Sequence, residues 1–344
     1  MARLLISCIG LRNIVTNKQT TNEANAIDAV ITWVDGNDPQ HQAKLNAYLE
    51  TLGRQPKSAS ATRFRECGEL DYCVASLLQY APFIRTIYIV TDQQTPKLLQ
   101  HYANTPVAER IKIVDHQALF AGFGDVLPTF NSLTIETVLW RIPDLAEQFI
   151  YLNDDFLITK PLRVEDFFQD GRPVIRGNWQ PQAEQRWTKR LQKWLGLGDR
   201  ADDPSFKRSQ ELAAKRIGYD KKFYCIGHTP HPLLRSTYEK LYAEQPDRFA
   251  ENVSYRLRNE AQFSPIALAH HWQLQNNAAI EENQLDCLNI KPKRYSAGKL
   301  ETLLRDTQCR FACIQSLDLA DEAQFAAVMA GLDSKIQLPY SLKN

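Results

Sequence analysis

The segment Phe149 to Pro161, FIYLNDDFLITKP, places Asn153, Asp154 and Asp155 inside an otherwise apolar run. Adjacent carboxylates repel, and burying them is costly unless they are paired or bound to a cation. A divalent cation would offset that cost, and hard cations such as Mg²⁺ prefer oxygen ligands. Along a strand, Asp154 and Asp155 would point to opposite faces, one reaching a ligand while the other braces loops behind it. The plainer alternative is an Asx-rich turn at a strand end. Two further acidic turns follow apolar runs. TWVDGND carries Asp35 and Asp38 about a glycine, and VTDQQTP carries Asp92 and Gln93. Either could be a turn held by side-chain-to-backbone bonds.

Two basic groups complete the set. CIGHTPHP holds His228 and His231. Zinc needs further ligands, and no cysteine or carboxylate stands at ligand spacing here. Beside an anionic phosphate, a histidine would have its cationic form favoured, which suits general acid or phosphate-clamp work. YRLRNEAQF holds Arg256, Arg258 and Glu260. On a helix, Arg256 and Glu260 would be four apart, giving a surface ion pair or a phosphate-binding arginine held by its glutamate.

The elements that must position these groups alternate. Strands are expected over 27–35, 86–92, 110–116 and 148–158. Helices are expected over 69–81 and 131–142, with an Asn or Ser cap on the second, and a short one over 95–103. Strand–helix alternation implies a largely parallel sheet flanked by helices. Open α/β sheets bind ligands beyond the carboxyl ends of their strands. Three of the four strands run out into acid, so Asp35, Asp92 and the Asp154/Asp155 pair are expected on one rim. The second half reads as mainly helical. It includes a basic helix over 185–198, with Trp187, Leu191, Trp194 and Leu195 on one side and Lys189, Arg190 and Lys193 exposed, and a last helix over 321–335. That basic helix could pack its apolar stripe in the core, or bind anionic lipid or a polyanionic product.

Composition narrows the class. Hydrophobic residues make up 44% and charged residues 24%, as in ordinary water-soluble domains. The net charge of +1 gives no electrostatic footprint for nucleic acid. No apolar run approaches the roughly 20 residues that span a bilayer, and the start MARLLISCIGLR lacks a clear cleavage site. Seven cysteines without a CxxC pair do not form a disulfide framework and read as reduced, buried thiols. The expected plan is a flexible leader over 1–26, one domain over 27–335 and a tail over 336–344. The domain divides into an α/β part (27–168) and a mainly helical part (169–335).

Taken in order, these segments resemble the Stealth family of sugar-1-phosphate transferases of bacterial capsule synthesis. IDAVITWVDGND resembles its first block. RFRECGELDYCVASLLQYAPFIRTIYIVTDQQTPKLL through LPTFNSLTIETVLWRIPDLAEQFIYLNDDFLI resembles its second, HTPHP with RLRNEAQF its third, and CIQSLDLADEAQF stands where its fourth belongs. The resemblance implies a glycosyltransferase-A-like α/β core and Mg²⁺ dependence, with Mn²⁺ as the substitute ion. It also implies transfer of a sugar-1-phosphate from a UDP-sugar, with N-acetylglucosamine the expected sugar.

Carried over residue by residue, the catalytic set is Asp154, Asp155, His228 and Arg256, with Arg258 as the alternative register. Cation ligands would be Asp154 and Asp155. The fourth block departs, having Gln315-Ser316 where the family often has an Asn-Asp pair, so Asp318 is the acidic ligand expected there. Substrate contacts are expected from Trp33, Asp35, Asp38, Arg63, Arg65, Asp92, Gln93, Asn131, Asn153, His231, Arg258 and Glu260. The partners implied are the UDP-sugar, an oligosaccharide or growing capsule polymer, and a glycosyltransferase that alternates with this chain. The expected place is the cytoplasm, with peripheral contact at the inner face of the bacterial inner membrane. Two other readings stand beside this one: an ordinary glycosyltransferase that releases UDP, and a carbohydrate-binding protein without catalysis.

Overall fold

The computed structural model describes residues 25–53, 56, 59, 64–186 and 205–339. Residues 1–24 of the expected leader, Arg63, the stretch 187–204 that carries most of the basic helix, and the last five residues lie outside the described residues.

Ile27–Thr32 forms β1, buried on both faces because its apolar side chains alternate between two cores. Ile27, Ala29 and Ile31 enter one core and Val30 the other. Helix α1 (Pro39–Leu52) follows, with Asp38 as N-cap and Pro39 in its first turn. Next come α2 (Glu69–Tyr80), β2 (Ile84–Thr91), α3 (Leu98–Tyr102), β3 (Ile111–Asp115), α4 (His116–Leu119) and α5 (Ser132–Val138). The helix expected over 131–142 therefore ends early, its last turn tightening to 3-10 geometry over Leu139–Arg141. Its expected cap is in place: the Asn131 side chain accepts from the Leu133 backbone N–H. β4 is Gln148–Asn153.

The strands order as β3-β2-β1-β4, all parallel, closed by an antiparallel β9 (His231–Leu234). Thr32 pairs with both Val90 and Asn153, and Thr91 pairs with Asp115. The carboxyl ends of the four parallel strands therefore share one edge, as the acidic run-outs implied.

The expected continuous strand over 148–158 is broken. Asp154 and Asp155 form a two-residue turn, and Phe156–Ile158 continues as β5 in a different sheet. Two adjacent carboxylates have no ladder partner that would reward burial inside a sheet, so the chain turns there. β5 pairs antiparallel with β12 (Phe311–Ile314), which runs parallel to β11 (Cys287–Ile290).

The second half carries helices Phe206–Arg216 (α6), Arg235–Glu244 (α7), Pro246–Val253 (α8), Pro265–Gln275 (α9), Ala297–Asp306 (α10) and Glu322–Asp333 (α11). Strands also thread it. β7 (Arg172–Pro181) links β6 (Phe168–Gln169), β8 (Lys222–Ile226) and β10 (Ile280–Glu282) into a further sheet. Ile336, expected to open the tail, is buried in the first core beside Leu332. The six cysteines among the described residues are free. No helix among these residues is long and apolar enough to cross a membrane.

Candidate active site

A solvent-open cleft lies beyond the carboxyl ends of β1, β2 and β4. Trp33, Asp92, Asn153, Asp154, Asp155 and Arg258 line it, with His41, Phe64, His116 and Phe130. A second, smaller cavity is lined by Glu136, Phe206, Arg208, His228, His231 and Glu260. Asn153 and Arg258 line both, so the two spaces meet at these residues.

The carboxylate turn is under electrostatic load. Burial, then the charges of Asp155, Glu69 and Glu66, push Asp154 well above the ordinary carboxylate range. Burial pushes Asp155 up to about 7, against a hydrogen bond from Cys313. The Cys313 thiol donates to Asp155 Oδ2 at 3.4 Å, while Asp155 Oδ1 is buried with no partner. The register of β12 on β5 sets this contact by pairing Cys313 with Phe156. Burial raises Glu66 to about 7, and it also raises Glu69, beside which Asp318 adds like charge. Asp318 Oδ2 and Gln315 Nε2 are buried and unpartnered.

This carboxylate set, with two orphaned oxygens, has the hard donor chemistry of a divalent-cation site. Among the described residues, however, no three His, Cys, Asp or Glu side chains already stand in ligating geometry. Any cation would complete its shell with substrate or water oxygens, as Mg²⁺ commonly does.

His228 stands in the second cavity, stacked on Phe206 with ring centroids 4.5 Å apart and planes at 23°. Phe156 meets it edge-on at 6.2 Å. Burial, reinforced by Lys291 and Arg258, lowers its pKa to about 4, so the ring is neutral near pH 7. Hydrophobic walls and neighbouring cations oppose the charge here, the reverse of what an adjacent phosphate is expected to do. His231, on β9, is buried beside Phe156 and His270, and burial holds it well below the usual range.

The two arginines of RLRNEAQF stand differently. Residues 255–264 form an irregular loop rather than a helix, so the spacing of Arg256 and Glu260 carries no pairing rule. Arg256 turns away from both cavities. Its Nη2 donates to the Asp125 carbonyl at 2.7 Å, and its guanidinium lies 5.3 Å from the Tyr48 ring centre. Arg258 faces the junction, where its Nη2 donates to Ser132 Oγ at 2.7 Å. Asn131 helps hold this loop, its Nδ2 donating to Tyr255 O at 3.0 Å and to Gln262 Oε1 at 2.7 Å.

The remaining expected residues divide. Asp92 lines the cleft and pairs with Lys44 Nζ at 2.8 Å, and Gln93 accepts from the same amine at 3.0 Å. Asp35 and Asp38 line neither cavity. Asp35 accepts from Asn37 N at 2.8 Å, and Asp38 caps α1 while Gln94 holds its pKa down. They shape the turn that ends β1. Arg65 is exposed and lines neither space, and Glu260 is exposed at the rim of the second cavity.

Comparison with known proteins now gives the family. Models of two Stealth segments match, conserved region 1 over residues 25–53 and conserved region 2 over 63–174. The receptor polysaccharide phosphotransferase WefC of Streptococcus oralis is 30% identical over 268 residues, covering 73% of this chain and 78% of that one. The chain belongs to the Stealth family. An exopolysaccharide phosphotransferase of Streptomyces coelicolor is 34% identical over 82% of this chain, which spans only 29% of that longer protein. The capsular polysaccharide phosphotransferase WcwK of Streptococcus pneumoniae is 28% identical over 90% of this chain and 97% of its own length. Among solved structures, galactosyltransferase LgtC aligns with a TM-score of 0.43 at 11% identity, over 90% of this chain and 97% of that one. Mouse xyloside xylosyltransferase 1 aligns at 0.39 and 12%, over 84% and 97%.

Within this Stealth chain, two groups of site residues escaped the sequence reading. Glu66 and Glu69 stand at the start of α2, and their charges reach Asp154. The string RECGEL carried a signal, two acids flanking a glycine before a helix, but nothing local distinguishes it from ordinary first-turn acid. Glu136, buried on α5, is the carboxylate that Arg258 and Ser132 address; burial raises it to about 7. The sequence places it only inside the helix expected over 131–142.

Proposed function

We propose that this chain transfers a sugar-1-phosphate, N-acetylglucosamine-1-phosphate for preference, from a UDP-sugar to a hydroxyl of an acceptor saccharide. UMP is released and a phosphodiester of a capsular or extracellular polysaccharide is formed. The observation that carries this reading is the junction: Arg258 and Asn153 stand between a carboxylate-lined cleft and a cavity holding a neutral histidine. A diphosphate with a cation fits the first space and a saccharide hydroxyl the second.

In this reading the acceptor oxygen bonds to the β-phosphorus while the bond from that phosphorus to the bridging oxygen breaks. UMP leaves with the bridging oxygen, and the anomeric C–O bond is untouched. His228 takes the acceptor proton. Its neutral ring is ready to accept, and the donor's negative charge would lift its low pKa toward the working range. Arg258 binds the phosphoryl oxygens, held through Ser132 and Glu136. Asp154 and Asp155, with Asp318 nearby, would hold Mg²⁺, or Mn²⁺ in its place. The ion would neutralise diphosphate charge and supply Lewis-acid stabilisation. Positioning and charge stabilisation are the protein's share of such a transfer. We place the reaction in the cytoplasm, at the inner face of the bacterial inner membrane, with a glycosyltransferase supplying the intervening sugars.

One incubation tests this: the chain with UDP-N-acetylglucosamine, Mg²⁺ and an oligosaccharide acceptor, followed by identification of the nucleotide released. UMP with a phosphodiester product supports the reading. UDP transfers the assignment to an ordinary glycosyltransferase, and no release from any UDP-sugar leaves a binding protein.

A further inference from the structure

The end of the first cleft nearest α1 has a composition that neither the carboxylates nor the diphosphate chemistry explains. Three aromatic rings close around it: His41 lies 5.3 Å from Phe64 and 5.4 Å from Phe130, and these two phenylalanines are 6.4 Å apart. His116, at the start of α4, lines the same space and lies within electrostatic reach of His41 and Asp92. His41 is 6% exposed and His116 4%. Despite that burial, His41 Nε2 and His116 Nδ1 have no hydrogen-bond partner, and neither has the Trp33 indole N–H on the same wall. Buried polar atoms are nearly always paired, because an unpaired one forfeits its hydration without compensation. Three residues that line the cleft thus carry unpartnered nitrogens just beneath its surface, a need that a ligand pressing into this end would meet.

We propose that this aromatic end reads the nucleobase of the donor, with His41 and His116 as the residues that determine base specificity. The inference rests on the nucleotide-donor reading above. A flat heterocycle suits it on two counts: aromatic walls favour a stacked plane, and a base edge carries donors and acceptors at fixed spacing. Trp33 can only donate and so addresses a base carbonyl. Each neutral imidazole can donate or accept at its free nitrogen, so the pair can answer a pyrimidine edge that alternates the two. The Lys44–Asp92 pair in the same part of the cleft leaves Asp92 oxygens for ribose hydroxyls.

Calorimetry on the full chain without acceptor, using UMP and ribose 5-phosphate as probes, tests this. The wild type should bind UMP at least about tenfold more tightly than ribose 5-phosphate, since stacking and edge bonds come only from the base. His41→Leu and His116→Leu should each weaken UMP about tenfold and leave ribose 5-phosphate unchanged. His116→Gln, which keeps a polar edge, should recover part of that loss. Without nucleotide, both leucine variants should melt no lower than the wild type, because each removes an unpaired buried polar atom.

Equal loss of both probes, or a UMP affinity unmoved in both leucine variants, overturns the proposal. So does a loss seen with UDP-N-acetylglucosamine but not with UMP, which would make this end a hexose site. Binding is read without turnover. If the release assay yields UDP while these variants behave as stated, the transfer reading falls and the base site stands. If UMP is released and the variants are silent, the reverse holds.

Discussion

Asp28, buried, and Asp155, half-buried, are aspartates near the ends of the central parallel strands, at opposite edges of the sheet. Asp28 is 0% exposed and fully paired. Its oxygens accept from Arg85 Nε at 2.9 Å, Arg85 Nη2 at 2.6 Å, Thr86 N at 3.1 Å and Ala146 N at 2.8 Å. Asp155 has one weak thiol donor and an orphaned oxygen, and Asp154 stands beside it among glutamates. At the amino edge a carboxylate ties β1, β2 and the turn before β4 into one body. At the carboxyl edge the same residue type is left unneutralised. The protein can satisfy a buried carboxylate fully, so the unsatisfied pair marks the place where something else supplies positive charge.

The widest separation between the two edges is expected from single amide substitutions. Asp154→Asn or Asp155→Asn should reduce nucleotide release about a thousandfold, with the melting temperature held or raised because an unfavourable charge is removed. Asp28→Asn should do the opposite. It should cost about 3 kcal/mol in urea unfolding, toward the lower end for breaking a buried pair because Arg85 is partly solvent-exposed, and leave turnover per folded molecule unchanged. Equal damage to turnover from Asp28→Asn would break the comparison.

The arginines sharpen it further. Arg258→Ala should lower kcat/KM about a hundredfold and Arg256→Ala by no more than about threefold, since only the first faces the junction. Steady-state kinetics on both variants decide between them. A smaller effect concerns the cation. At ten times its dissociation constant, Mg²⁺ should stabilise the chain by about 1.4 kcal/mol, read as a rise in melting temperature. The Asp154→Asn/Asp155→Asn double variant should show no rise. A rise that survives that double change would place the ion elsewhere.

The smallest expected effect lies away from both edges. His271 Nε2 accepts from Tyr224 N at 2.8 Å while its Nδ1–H donates to Ala267 O at 2.5 Å, so the buried ring must be neutral. Burial lowers its pKa to about 4 from an ordinary 6.5. Between those values the unfolded chain binds the proton and the folded chain does not, so stability falls as pH drops through that window. The wild type's melting temperature should decline between pH 6.5 and pH 4, and His271→Gln should flatten that decline, even if it costs stability at pH 7. A decline of unchanged slope in the variant would assign it to other groups.

Much of the frame was legible in the residues. The apolar runs of β1 to β4, spaced by helical segments, announced parallel strands buried on both faces. Because parallel strands place their carboxyl ends on one edge, the rim shared by Asp92 and the Asp154/Asp155 pair followed from order alone. Asn131 was readable as a cap because the capping rule is local. Other assignments were beyond local rules. Arg256 and Arg258 belong to the same short string, and an irregular loop has no periodicity to say which one turns inward; contacts with Asp125 and Ser132, distant in sequence, decide it. Whether Asp154 and Asp155 continue a strand or form a turn depends on β12, more than a hundred residues later, capturing β5 in another sheet.

The chain's own order of residue types thus determined the alternating elements, the parallel sheet, its acidic edge and the family to which it belongs. These depend on side-chain periodicity and short-range rules, which a linear string contains. Tertiary structure alone decided which carboxylates share a field, that His228 is neutral, that Arg258 stands at the junction, and that His41 and His116 line one cleft with unpartnered nitrogens. Charge, burial and hydrogen-bond satisfaction are properties of what surrounds a side chain, and for these residues the surroundings come from segments far apart in sequence.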